Sequence, residues 1–186
     1  MTKVGSQCYQ FTAVDNCTRL RVLRLYPNKT AENAVLFLHE ILEHFPFPIQ
    51  RVQSDWGTEF FNASFQEELM VHFIKFRPIK PRSPHLNGKV ERSQQTDKKV
   101  EFYNLLNLKD AAINLPKLLS EWEYFYNHQR PHSALGGKTP WEKYKELEPQ
   151  TPIQPDVTQM YWDSNEHILP RSSKYLKWKR KMSHFC

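Results

Sequence analysis

Pro48-Ile49-Gln50-Arg51-Val52-Gln53-Ser54-Asp55-Trp56-Gly57-Thr58-Glu59-Phe60 reads as a short, apolar-leaning strand that ends at an acid and turns at a glycine. A second acid, Glu91, lies just inside a helical stretch that opens at Asn87-Gly88 and continues through Lys89-Val90-Glu91-Arg92 toward Phe102. A strand-end Asp and a helix-borne Glu are hard oxygen ligands carried by separate elements. Mg²⁺ takes few protein ligands and demands a tight octahedral arrangement, so this pairing is what metal-assisted chemistry on a phosphodiester would use.

Outward from this pair, the pattern alternates strand and helix. Cys8 to Val14 and Leu20 to Tyr26 are aromatic- and β-branched-rich runs about an Asp15-Asn16 turn, which predicts a hairpin. Thr30 is placed to cap a helix whose apolar positions Ala34, Val35, Leu38, Ile41, Leu42 and Phe45 recur at steps of three and four until Pro46 ends it. Ser64 and Glu67 have capping-box spacing ahead of Phe65, Leu69 and Phe73, which predicts a second helix. Phe76-Arg77-Pro78-Ile79 suits an edge strand, because Pro cannot donate to a ladder. Arg82-Ser83-Pro84-His85-Leu86-Asn87-Gly88 is a polar connection expected to be a mobile loop. In the helix that follows, Gln95 and Lys98 stand four and seven residues after Glu91 and share its face.

Further on, Leu118, Leu119, Trp122, Phe125 and Tyr126 mark another helix, with Asn127, Arg130 and His132 expected to end it and lock it to the core. Thr139-Pro140-Trp141-Glu142 starts the next, with a Thr cap, Pro at the first helical position and Glu completing the box. Pro149, Pro152 and Pro155 read as a linker, and Arg171, Lys174, Lys177, Lys179, Arg180 and Lys181 beside Tyr175 and Trp178 as a basic tail able to track phosphates. The organisation expected is a core over 1–106, a helical extension over 107–148, and a linker with tail over 149–186.

Three motifs resemble the DDE transposase and retroviral integrase superfamily, particularly the integrase-core transposases of bacterial insertion sequences. They are Asp55-Trp56-Gly57-Thr58-Glu59-Phe60, Gly88-Lys89-Val90-Glu91-Arg92, and Tyr126-Asn127-His128-Gln129-Arg130-Pro131-His132-Ser133-Ala134-Leu135 followed by Lys138-Thr139-Pro140-Trp141-Glu142. The resemblance implies a ribonuclease H-like α/β/α fold with three layers and a mixed sheet, truncated at its first strand, plus C-terminal helices and a basic tail. It implies that Asp55 and Glu91 are catalytic and metal-binding, holding two Mg²⁺ or Mn²⁺ ions together with a first Asp. It also implies that Lys89, Arg92, Gln95 and Lys98 approach DNA.

Asp15 is not that first Asp. Phe11-Thr12-Ala13-Val14-Asp15-Asn16-Cys17-Thr18-Arg19 resembles the family's second strand and its following Asp-x-x-Ser/Thr-Arg turn, whereas the first metal-binding Asp lies one strand earlier, at or just before Met1. Asp15 is therefore expected to stabilise a turn through its own backbone. The chain is accordingly expected to be a fragment lacking one carboxylate and the family's helix-turn-helix region. Two rival expectations are a catalytically inactive DNA-binding or regulatory remnant and a ribonuclease H-type nuclease that hydrolyses without joining.

Composition agrees with this reading. The 186 residues, 39% hydrophobic, suffice for one core with an appendage. A net charge of +6 favours an anionic partner, and no apolar run spans a bilayer, so DNA outranks a membrane surface. Family analogy adds homo-oligomers on the DNA of mobile-element ends and targets. Cys8, Cys17 and Cys186 have no metal-ligand spacing and an odd count, consistent with a reducing cytoplasm and, by analogy, a bacterial nucleoid. His39 with His44, and His128 with His132, lack nearby cysteines, so no zinc module is expected.

Overall fold

A computed structural model of the chain describes residues 2–4, 8–54, 57–79, 88–99 and 111–163. The hairpin forms β2 (Cys8–Val14) and β3 (Arg21–Tyr26), paired antiparallel from Tyr9 opposite Tyr26 to Val14 opposite Arg21. A short strand, β1 (Thr2–Val4), pairs antiparallel with the start of β2. β4 (Arg51–Ser54) and β5 (Lys75–Pro78) pair parallel, and the helix α2 (Ala63–Val71) lies between them in sequence as the crossover that parallel strands require. Pro78 closes β5 opposite Ser54, and the next donor, the Ile79 N–H, reaches the Ser54 carbonyl at 2.8 Å. β4 is the only strand paired with β5 among the described residues, so the missing Pro78 N–H breaks no second ladder.

The helix α1 (Ala31–His44) begins where expected. Thr30 accepts from the Asn33 N–H, and Phe45 is extended ahead of Pro46. α2 departs from expectation at its cap. Asn62, not Ser64, accepts from the Phe65 N–H at 3.0 Å, while its amide donates to the Glu59 and Thr58 carbonyls. An Asn at that position satisfies the helix end and the preceding turn together, which a Ser two residues further in cannot do.

Alternation along the hairpin builds two layers on the sheet. Phe11 and Val22 point to one face, where Ala34, Phe37, Leu38 and Ile41 of α1 and Phe65 and Leu69 of α2 close the main core. Phe11 alone meets Tyr26, Phe37 and Phe60 edge-on at 4.9, 5.5 and 6.3 Å. Leu23 points the other way, onto Leu119 and Trp122 of α4 (Ala111–His128). The far layer also holds α3 (Gly88–Lys99), which lies against β2.

This second layer is attached by polar groups. The Arg21 guanidinium, on β3, pairs with Asp97 of α3 at 2.7 Å, with both side chains essentially out of solvent. Asp97 also accepts from the Trp122 indole at 2.8 Å and from the Gln10 amide at 2.9 Å. The Arg21 guanidinium carbon stands 3.5 Å from the centre of the Tyr126 ring, so an aromatic surface faces the fork whose Nε and Nη2 have no acceptor among the described residues. Burial pulls the guanidinium down from its ordinary value while Asp97 opposes the shift; arginine remains charged nonetheless.

α4 also covers the open edge of β3. One helical turn apart, Glu123 accepts from the Leu23 N–H, and Asn127 accepts from the Arg21 N–H at 3.0 Å and donates to the Arg21 carbonyl at 2.8 Å. An uncovered strand edge invites pairing with another chain, and these two side chains occupy its backbone groups. Burial raises the Glu123 carboxyl above its ordinary value, against the Leu23 N–H and Arg24, which hold it down.

α5 (Pro140–Leu147) starts with the full capping box of Thr139 and Glu142. Its Tyr144 hydroxyl donates to the Pro46 carbonyl at 3.1 Å, tying the extension to the end of α1. The region read as a Pro-marked linker contains α6 (Gln154–Asp163), which buries Val157 and Tyr161. Proline suits a first helical turn as well as a linker, and here the Asp156 carboxylate accepts from the Ile153 N–H to start the helix. Lys75 donates to the Met160 carbonyl at 2.8 Å, and the Phe73 ring meets Tyr161 edge-on and Trp162 at a tilt, at 5.8 and 5.9 Å. Phe73 holds φ +56°, a left-handed conformation that costs a non-glycine residue about 1 kcal/mol, and this aromatic contact offsets it. The loop expected to be mobile and the basic tail lie outside the described residues, apart from Gly88 at the start of α3.

Removing one partner of a buried pair leaves the other charge uncompensated. Asp97→Ala is expected to cost about 3–5 kcal/mol in urea unfolding, because Arg21, Trp122 and Gln10 all lose an acceptor. A loss below about 1 kcal/mol would show that the second layer does not depend on this carboxylate.

Candidate functional site

Glu91 sits in the first turn of α3 and is exposed. Its orientation follows from the opposite face of the same helix, where Ser93 and Asp97, four residues apart, are buried against Arg21 and Gln10. Glu91 and Gln95, also four apart but out of phase with that pair, therefore face solvent, as does Arg92. An acid in the first helical turn also complements the helix dipole. Lys89 is less free than the sequence implied, since its amine donates to the Asn16 carbonyl at 3.0 Å. The Lys98 side chain lies outside the described residues.

Asp55 and Trp56 also lie outside the described residues, between β4, which ends at Ser54, and a turn that begins at Gly57. That turn is tight, with Phe60 and Phe61 both donating to the Gly57 carbonyl, at 3.0 and 2.9 Å. Glu59 folds back over it and is buried. A Cβ at position 57 would stand 2.6 Å from the Glu59 carboxylate, so the glycine leaves room for this acid to fold over the turn. Glu59 is the residue the sequence reading passed over. Its signal was the Gly57-x-Glu59 spacing itself.

Asp15 does what its turn predicts. Its Oδ2 accepts from the Cys17 N–H at 3.0 Å, the Thr18 N–H at 2.7 Å and the Thr18 hydroxyl at 2.8 Å. Its backbone pairs with Leu20 and Arg19, the latter held at φ +67°. The same turn is tied to the first turn of α3 through Lys89 and Asn16.

The downstream histidines are packing groups. His128 lies between the rings of Tyr124 and Trp141, at 4.5 and 4.9 Å, and burial lowers its pKa. His132 meets Tyr126 edge-on at 4.5 Å. Burial first, then Arg130 and Arg21, lower it to about 4.

With this geometry in hand, comparison with known proteins gives a consistent answer. Two models of the integrase core domain match the chain, over residues 1–84 and 72–140. The chain is 28% identical to a putative integrase of Spiroplasma virus SpV1-C74, over 74% of this chain and 42% of that protein. It is 27% identical to an uncharacterised protein of Caenorhabditis elegans, over 73% of this chain and 10% of the other. It thus spans less than half the length of the curated relatives it matches. Among solved structures, the dimeric form of the HTLV-2 integrase catalytic core domain in complex with magnesium matches with a TM-score of 0.62 at 19% identity, over 77% of this chain and 89% of that one. The catalytic core domain of BIV integrase matches with a TM-score of 0.59 at 21% identity, over 77% and 95%.

The fold is therefore that of a ribonuclease H-like integrase catalytic core. The chain belongs to the retroviral integrase superfamily. None of its described helices is long and apolar enough to cross a membrane.

Two measurements probe these assignments. Asp15→Ala should lower stability by about 1–2 kcal/mol through the lost turn bonds, with Asp15→Asn retaining most of it. Equal, negligible effects of both would remove Asp15 from the turn. For His132, a folded pKa near 4 against an ordinary 6.5 means the folded state binds fewer protons between those values. Its contribution is complete above about pH 6.5 and is lost as pH falls toward 4, on the order of 2 kcal/mol once solvent screening of the half-buried ring is allowed for. Urea midpoints measured from pH 7.5 to 4.5 should fall less steeply in His132→Phe, and an unchanged slope would contradict the assignment.

Proposed function

We propose that this chain is the catalytic core of a DDE-type transposase or integrase that cuts and joins DNA at the ends of a mobile element, as in bacterial insertion sequences. The observation that carries this reading is the two-faced helix α3, with Ser93 and Asp97 locked inside and Glu91, Arg92 and Gln95 turned to solvent. It gives the Glu91 carboxylate a fixed direction toward solvent, with no ion pair or hydrogen bond to it among the described residues.

Asp55 and Glu91 would hold divalent metal in such a site, and their carboxylates fit Mg²⁺ or Mn²⁺, which take oxygen donors. The HTLV-2 relative is a magnesium complex. Bound there, the ions would supply the charge that activates a water or 3′-hydroxyl and stabilises the departing oxygen. Arg92, Gln95 and Lys98 would hold the DNA backbone beside Glu91, while Lys89 would keep the β2–β3 turn against the start of α3. Glu59, folded over Gly57, would hold the turn after Asp55 in shape. The family's first Asp has no counterpart in Asp15, whose Oδ2 is committed to Cys17 and Thr18. That commitment supports a second reading, in which the chain alone binds DNA without cutting it. We further propose assembly of several copies on DNA, in line with the dimeric and trimeric forms of the HTLV-2 core.

The test uses labelled duplex ends and a target plasmid with Mg²⁺ or Mn²⁺, applied to the chain and to a version extended upstream through a strand bearing the family's first Asp. The chain alone should bind duplex DNA with a steep salt dependence and perform no strand transfer. The extended protein should cleave and join ends, and Asp55→Asn or Glu91→Gln should abolish both while leaving folding and DNA binding nearly intact. Joining by the unextended chain at the extended protein's rate would overturn the ligand count. Unfolding of Glu91→Gln would make Glu91 structural. Cleavage without joining would favour the nuclease reading.

A further inference from the structure

On the opposite side of the sheet from α3, two helices bring three metal-ligating side chains to one point. We propose that His39, Glu68 and His72 form a binding site for a divalent transition-metal ion of the zinc class, clasping α1 to α2. His39 lies on α1, Glu68 on α2, and His72 is the C-terminal cap of α2. His39 Nε2 stands 2.7 Å from Glu68 Oε1, and His72 Nε2 stands 3.2 Å from the same oxygen. All three ligand atoms lie within 4.8 Å of one another.

These separations are close to those of a tetrahedral ion. Zinc bonds of about 2.0–2.1 Å set neighbouring ligand atoms roughly 3.3 Å apart, so the two carboxylate-to-imidazole separations already fit, and rotation of the partly exposed rings would bring the two imidazole nitrogens, within 4.8 Å of each other, to the same spacing. Two imidazoles and one carboxylate form a zinc set with a fourth position left for water, and the partial exposure of all three side chains keeps that position open. The donors also separate this site from the proposed catalytic one. Imidazole suits zinc, copper and nickel, whereas magnesium takes oxygen.

The backbone beneath the cluster is held in advance. His72 and Glu68 are one turn apart and border the stripe of α2 that buries Phe65 and Leu69. α1 is fixed likewise by Ala34, Phe37, Leu38 and Ile41. The rings of His39 and His72 meet edge-on at 5.9 Å, so both turn their Nε2 atoms toward one carboxylate. A helix-to-helix contact made of three polar side chains is a weak surface ion cluster without metal. With metal it becomes a clasp.

The full chain, stripped with EDTA and titrated with ZnCl₂ in a calorimeter, should bind one equivalent with micromolar or tighter affinity. Its thermal midpoint should rise by on the order of 5 °C at saturation. His39→Gln and His72→Gln should each weaken binding at least tenfold and abolish the thermal shift, with circular dichroism confirming that both variants fold. His44→Ala and Cys17→Ser should bind as the parent does. Co²⁺ in place of zinc should give a tetrahedral visible spectrum without thiolate bands. Absence of binding below about 100 μM, binding that survives the double His39→Gln/His72→Gln change, or loss of binding in Cys17→Ser would each overturn the proposal.

Discussion

The buried pair of Arg21 and Asp97 is the constraint on which the far layer of this fold depends. It joins β3 to α3, and through the Trp122 indole and the Tyr126 ring it reaches α4. Desolvating two charges is expensive, and mutual attraction seldom repays it alone. Here neighbours fill the valences of Asp97, whereas Arg21 Nε and Nη2 are buried without a hydrogen-bond acceptor among the described residues. Asp97 takes donors from Gln10, Arg21 and Trp122, and the guanidinium lies over an aromatic face. Such an arrangement tolerates little displacement, so it sets the angle and register of α3 more sharply than an apolar contact would.

That rigidity is transmitted to the exposed face of α3. The helix contributes no large apolar residue to the core, and its inward contacts are Ser93 and Asp97. Fixing those two fixes the outward direction of Glu91, Arg92 and Gln95, because helical geometry leaves no independent choice. The second anchor, Glu123 and Asn127 on the bare edge of β3, stops the sheet from being extended and seats α4 behind the pair. A site carried by rigid elements can hold a reacting group to the tolerance that phosphoryl transfer demands.

The two faces of the sheet use different physics. Toward α1 and α2 the contact is aromatic and aliphatic, with Phe11 at its centre, and it is read easily from apolar periodicity. Toward α3 and α4 it is a polar network surrounded by Leu23, Leu119 and Trp122. No period marks Asp97 as buried. Its sequence neighbourhood, Gln94-Gln95-Thr96-Asp97-Lys98-Lys99, has the composition of a solvated helix surface. The same lack of signal hid α6, where prolines that ordinarily mark a linker serve a helix start, and Asn62, whose capping role depends on a turn two to four residues upstream.

From sequence alone came the strands of the hairpin, the span of α1 between Thr30 and Pro46, the capped start at Thr139-Pro140, the turn role of Asp15, the locking role of Asn127 and the superfamily. These are local or nearly local matters, governed by period, caps and motif spacing, and a linear string records them. Only the tertiary structure decided that Asp97 is interior, that Glu59 folds over Gly57, that Lys89 reaches Asn16 and that His39 meets Glu68 and His72 across two helices. Each of these joins side chains whose meeting depends on how helices and turns are seated against the sheet. Burial and partnership belong to that three-dimensional arrangement, and residue order alone does not encode them in any form that can be read one segment at a time.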